Sequence, residues 1–201
     1  MLSFARDLPN ACSLAGLFAA VLGLYFAIRS VYPAALMALL WATVFDWSDG
    51  LIARRMKGRT ANQRAFGAQL DSLIDIVSFS VAPALLLLSV GRFSPWFIPG
   101  AFVILATGVI RLSYFNVFGL IDDSTYRGLS LDNNVIVVAL LFVFEPVVGI
   151  TIFAIVVYVA LMVLAAFNVA PIQTPKLGGR WYYAVIVYAL ALTGVYGWQL
   201  A

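Results

Sequence analysis

Residues 33–90 read PAALMALLWATVFDWSDGLIARRMKGRTANQRAFGAQLDSLIDIVSFSVAPALLLLSV, two long apolar runs that flank a basic segment and carry four aspartates. A bilayer core of about 30 Å takes roughly 20 apolar residues per helix. The runs 33–53 and 68–90 are therefore expected to be transmembrane helices. Working outward, polar interruptions delimit further spans at 11–30, 96–119, 131–145, 147–168 and 181–200. The stretch 131–168 is too long for one helix, and Glu145-Pro146 is its expected break, because proline lacks a donor and disfavours helix in the residue before it. The expected fold is an all-α integral membrane protein: a polytopic helical bundle of six core transmembrane helices plus a seventh at the C-terminus, all in a single domain.

Composition points the same way. Of 201 residues, 64% are hydrophobic and 10% charged, and mean hydropathy is +1.01, whereas a water-soluble domain carries about 25% charged residues. An ordinary soluble enzyme, a disordered chain and a coiled coil are excluded. One cysteine, Cys12, and the absence of histidine remove disulfide scaffolds, His-bearing triads and the common zinc sites. Any metal must sit on oxygen. Residues 1–10 show no small-residue cleavage pattern, so the run that follows reads as a retained span rather than a signal peptide.

If alternate loops share a side, Arg6, Arg54, Arg55, Lys57, Arg59, Arg64, Arg127, Lys176 and Arg180 lie with the N-terminus, Arg29 and Arg92 lie opposite, and Arg111 falls inside a span. That asymmetry puts the N-terminus and the 54–64 segment in the cytoplasm. The net charge of +3 is loop topology rather than a nucleic-acid footprint, and the basic segment would also attract anionic lipid.

Asp46, Asp49, Asp71 and Asp75 all fall at the cytoplasmic end of spans two and three. Carboxylates near hydrocarbon cost a few kcal/mol each and are tolerated where they pair, bind a cation or face a wet cavity. Spacings of three and four residues project each pair from one helix face. Two such faces brought together offer carboxylate oxygens suited to Mg²⁺ or Mn²⁺, with room for two ions. The alternatives are an ion-pair network with Arg54, Arg55 and Arg64, or, in a different class, a cation carrier or channel. Gly50 and Gly67 leave backbone bare beside the acids, to admit either a flat ligand or a neighbouring helix.

Read in order, Asp46-Trp47-Ser48-Asp49-Gly50-Leu51-Ile52-Ala53-Arg54 and Gly67-Ala68-Gln69-Leu70-Asp71-Ser72-Leu73-Ile74-Asp75 resemble the D-x-x-D-G-x-x-A-R…G-x-x-x-D-x-x-x-D signature of the CDP-alcohol phosphotransferase family, matching at eight fixed positions. The spacer between Arg54 and Gly67 is longer than usual in the family, and the additional residues, within 56–64, are expected to bulge into the cytoplasmic loop. The resemblance implies transfer of a phosphoalcohol group from a CDP-linked donor to a hydroxyl, with release of CMP. It further implies that Asp46, Asp49 and Asp71 bind metal, that Asp75 shares the second metal and takes the acceptor's proton, that Gly50, Ala53 and Gly67 line a cytidine pocket, and that Arg54 meets the donor phosphates.

The segment 70–83, LDSLIDIVSFSVAP, is similar to the phosphatidylserine synthase branch, with Ser72 where glycerol-phosphate branches tend to have proline and Ser80 in place of a usual glycine. This implies CDP-diacylglycerol as donor and L-serine as acceptor, with choline, inositol phosphate or glycerol phosphate as runners-up. Arg111 is the expected partner of the acceptor carboxylate, since arginine at that depth is costly without one; an ion pair with a motif aspartate is its other reading. Asn116 and Arg127 are further acceptor-binding candidates. Asp132, Asn133 and Asn134 either complete that pocket or merely start the fifth span, and Asn10 in Pro9-Asn10 either flanks the nucleotide or caps the first helix. Aromatics such as Trp96, Phe97, Trp181 and Trp198 read as interfacial anchors. Small residues in 11–23 and 100–108 mark close helix contacts, within the chain or across the homodimer common in the family. The expected location is a bacterial or archaeal cell membrane, with the active site at the cytoplasmic face by the same asymmetry of basic residues.

Overall fold

The computed structural model describes residues 4, 6–122 and 124–201. Its helices run α1 Leu8–Ile28, α2 Tyr32–Arg55, α3 Ala61–Ile76, α4 Ala82–Val90, α5 Ile98–Phe118, α6 Asp132–Leu141, α7 Glu145–Val148, α8 Ile150–Val169 and α9 Arg180–Leu200. Two three-residue strands, β1 Thr125–Arg127 and β2 Gln173–Pro175, pair antiparallel. Six helical stretches are long and apolar enough to cross a membrane: 8–28, 32–55, 61–90, 95–118, 150–169 and 180–200. The all-α membrane architecture follows directly from the apolar runs. The fifth expected span, 131–145, is not among these six: α6, a 3₁₀ turn at Phe142–Phe144 and α7 cover 132–148 in short pieces.

Two expected boundaries are corrected, and two candidate helix caps are not caps. The break comes at Gly149, whose φ of +80° only glycine adopts without strain, while Pro146 sits in the first turn of α7, where its missing N–H costs nothing. The spacer does not all bulge. Only 56–60 is loop, and Thr60 and Gln63 form a reciprocal capping box that starts α3 at Ala61, so the additional residues lengthen the helix. Asn10 lies inside α1 and donates to the Phe4 carbonyl instead of capping. Asp132 likewise makes no capping hydrogen bond, for α6 begins after Leu131.

The bundle is held by close approach and by polar contacts rather than by water exclusion, because lipid is as apolar as leucine. At Gly23 a methyl group would lie 2.7 Å from Leu39, so α1 and α2 pack backbone to side chain. The small residues near Gly100 and Gly108 serve contacts within the chain, to Tyr158 and Ser80. Between α3 and α4 the helix widens into a π turn at Val77–Val81. A π turn displaces the regular carbonyl partners; here the buried Asn134 amide donates to Phe79 O at 3.0 Å and itself accepts from Asn168 at 3.2 Å. The C-terminal α9 docks through Tyr188, which donates to Ile136 O at 2.6 Å, and Tyr196, which donates to Ala139 O. Large apolar side chains such as Phe18, Phe102 and Ile155 remain exposed, as lipid-facing residues do.

Candidate active site

The C-terminal halves of α2 and α3 bring the four aspartates together. Asp46, Asp49 and Asp71 each place one carboxylate oxygen within 4.8 Å of the others, and the Asp75 carboxyl lies against that of Asp46. All four line a cavity of about 410 Å³ whose remaining walls come from α5, the segment 126–133 and the segment 174–182. The helical spacings place the acids on facing stripes, as their sequence separation requires.

Among the described residues no lysine or arginine nitrogen lies within 4.0 Å of these carboxylates; the one ion pair there is Arg59 Nε to Asp7 Oδ2, 2.6 Å and buried. The ion-pair network expected as an alternative is therefore absent among the described residues. Arg55 and Arg64 are exposed, Arg64 donating to the Arg59 carbonyl at 2.6 Å, and Arg54 sits at the cavity wall. Asp75 Oδ1 is buried with no hydrogen-bond partner. An orphaned carboxylate oxygen next to three converging acids fits a hard divalent cation, which would satisfy it by ligation.

The other sequence candidates divide. Gly50 lines the cavity and a methyl there would meet only Arg54 Nη2, at 4.0 Å. Ala53 and Gly67 lie outside the lining; at Gly67 a methyl would sit 2.9 Å from Asn10 Oδ1 and from Arg59, so this glycine admits α1. Arg111 is buried, lines the cavity, and donates from Nε to Leu129 O at 2.8 Å. It makes no ion pair with a motif aspartate. Asn116 is exposed and reaches the site only through Ser72, whose hydroxyl donates to it at 2.9 Å. Arg127 faces a different, smaller cavity, where it donates to Tyr114 Oη at 3.0 Å.

Several site residues were not anticipated. Ser13 of α1 donates to Asp49 Oδ2. Its only sequence signal is that it falls on the face of Asn10, three residues away. Trp47 Nε1 donates to Asp132 Oδ2 at 2.9 Å. Tyr126, on β1, packs its ring 5.6 Å from the Arg111 guanidinium and 5.9 Å from Lys176 Nζ, and burial raises its phenol above the ordinary range. The β1–β2 ribbon carries Tyr126 and Thr174–Pro175 to the cavity mouth, pairing two loops far apart in sequence.

The model of the CDP-alcohol phosphatidyltransferase family matches residues 6–164, which include all four aspartates and the cavity's α5 wall. The chain belongs to that family. Among similar curated proteins, an archaetidylserine synthase of Methanothermobacter thermautotrophicus is 36% identical over 112 residues, 55% of this chain and 47% of that protein. A CDP-diacylglycerol--serine O-phosphatidyltransferase of Mycobacterium tuberculosis is 34% identical over 120 residues, 59% of this chain and 40% of its own length. A Helicobacter pylori protein of the same description is 30% identical over 114 residues, 54% of this chain and 45% of its own length. The matched region thus spans less than half of these CDP-alcohol phosphatidyltransferase relatives. Within the family, the arrangement of two acidic helix faces and a basic residue at the rim of one open cavity is suited to displacement at a diphosphate, where charge must be neutralised and a nucleophile aligned.

Proposed function

We propose that this protein transfers a phosphatidyl group from CDP-diacylglycerol to the hydroxyl of L-serine, giving phosphatidylserine and CMP at the cytoplasmic face of a bacterial or archaeal cell membrane. The observation that carries the reading is the convergence of Asp46, Asp49, Asp71 and Asp75 from two helices on one cavity. The names of the similar proteins support the serine branch, and the loop-side excess of basic residues supports the orientation. In this reading Asp46, Asp49 and Asp71 hold metal, with Asp75 sharing the second of two ions, and bound Mg²⁺ or Mn²⁺ would supply charge neutralisation at the pyrophosphate. Arg54 meets the donor phosphates, and Gly50 leaves space for the nucleotide beside α2. Ala53 and Gly67 stand outside the cavity lining, and Gly67 lets α1 approach α3.

The reaction balances simply. The serine hydroxyl oxygen attacks the phosphorus that carries diacylglycerol; a P–O bond forms, the bond to the CMP oxygen breaks, and Asp75 takes the hydroxyl proton. Arg111 receives the serine carboxylate. Asn116 braces Ser72 at the rim, and Arg127 supports β1 rather than the acceptor. The exposed apolar faces of the bundle leave room for the homodimer usual in the family.

Radiolabelled CMP release from CDP-diacylglycerol by purified protein tests the reading. Release is expected to depend on serine, to vanish on chelation and to return with Mg²⁺ or Mn²⁺. Release driven equally well by choline, glycerol phosphate or inositol phosphate would reject serine as the acceptor. Replacing Arg111→Lys is expected to raise KM for serine about 10-fold and to leave KM for the donor nearly unchanged, since lysine has no planar fork for a carboxylate. Equal losses for both substrates would assign Arg111 to the scaffold.

A further inference from the structure

Asp132 stands at the start of α6, 6% exposed, and lines the same cavity as Asp75 and Arg111. Its Oδ2 accepts from Trp47 Nε1 at 2.9 Å and its Oδ1 from Asn133 Nδ2 at 3.3 Å. These two donors are neutral. Among the described residues no cationic nitrogen comes within 4.0 Å of it. Arg111 is its mirror image: 7% exposed, near enough to Asp132 and Asp75 to feel their charge, yet in contact with neither. Its only hydrogen bond among the described residues leaves from Nε, so its two terminal nitrogens have no acceptor among those residues. A buried anion and a buried cation that share a cavity without touching are each uncompensated, which is costly unless a ligand completes them.

We infer that Asp132 receives the ammonium group of an amino-acid acceptor and, with Arg111 on the carboxylate, makes the cavity selective for a zwitterion. The inference rests on the serine-transfer reading and deepens it. An α-amino acid carries both charges on one carbon, so a single small molecule reaches both side chains. Its hydroxymethyl arm is then left to reach Asp75, which lines the same cavity. Three distinct contacts around one stereocentre discriminate between enantiomers. A phosphate-bearing acceptor would bring two negative charges against Asp132, and choline would leave Arg111 unanswered, so both are rejected by the same pair. Trp47 orients the carboxylate, making it a positioning residue.

The test compares purified wild type with Asp132→Asn, using L-serine, D-serine and L-glycerate, in which a hydroxyl replaces the ammonium. Asp132→Asn is expected to raise KM for L-serine by about 10-fold to 100-fold, the order of a lost hydrogen bond to a charged group. KM for CDP-diacylglycerol should stay within about two-fold, a margin far below that of a lost charged contact. The preference for L-serine over D-serine should shrink, and L-glycerate, a poor acceptor for the wild type, should gain turnover relative to serine. Trp47→Phe keeps the charge and should raise the serine KM less than Asp132→Asn does. An unchanged serine KM, or matched losses for donor and acceptor, overturns the role of Asp132 even where the wild type transfers to serine. A wild type that releases CMP with other alcohols and not with serine overturns the underlying reading, and the inference with it.

Discussion

Asp75→Asn is expected to abolish phosphatidyl transfer, by about 10²–10⁴-fold or more, the range set by loss of a general base. The substitution is isosteric and removes a basic oxygen that is buried and unpartnered in the folded protein. Packing therefore gives no reason for the chain to misfold. Asp46, Asp49 and Asp71 keep their mutual approach within 4.8 Å, so binding of a CDP-linked donor should persist. The measurement pairs serine-dependent CMP release with binding of the donor by calorimetry. Full turnover in the variant would reject Asp75 as the base. Loss of donor binding in step with turnover would instead make it chiefly a metal ligand.

Gly128→Ala is expected to have the largest effect on folding. Gly128 has φ of +77°, and a methyl group there would fall 2.2 Å from the backbone oxygen of Asn168. A left-handed conformation alone costs a non-glycine residue about 1–2 kcal/mol; the overlap is with rigid backbone and cannot be relieved by a rotamer change. Its own N–H also donates to Ile172 O at 2.8 Å, so retreat of the loop would break that bond. A total loss of about 3 kcal/mol or more is expected, within the class of strain and overpacking defects. Gly119→Ala is the control: φ there is +69°, but nothing lies within 4 Å of the added methyl. Thermal unfolding in detergent should place Gly128→Ala far below Gly119→Ala. Similar midpoints for the two would show that the approach to Asn168 is not tight in the folded protein.

The parts of the fold that were legible in sequence are those governed by strong, local rules. Lipid imposes apolar runs of fixed length, and helical periodicity puts Asp46 with Asp49 and Asp71 with Asp75 on shared faces, so both the spans and the acidic cavity could be read in advance. The start of α3 was legible as well, in Thr60-Ala61-Asn62-Gln63, but the apolar pattern that begins later outweighed it. Pro146 misled because proline is as welcome in a helix's first turn as it is unwelcome in the middle. Other features had no local signal. Nothing in Val77-Ser78-Phe79-Ser80-Val81 marks a π turn, whose Phe79 carbonyl is satisfied by Asn134, 55 residues away. The contacts of Arg127 and Asn116 had no local signal either: a polar residue near a span's end looks the same in sequence whether it turns inward or toward Tyr114 and Ser72.

The β1–β2 ribbon separates the cavity into two kinds of wall. Its floor belongs to helices solvated by lipid, where each added charge is penalised. Its roof is a clasp of three residue pairs, Thr125 with Pro175, Tyr126 with Thr174 and Arg127 with Gln173, lying where water tolerates almost any side chain. An added charge is therefore penalised less in the clasp than in the floor. A lineage is thus free to reshape the mouth of the cavity by editing a few aqueous residues and to keep its acidic centre intact.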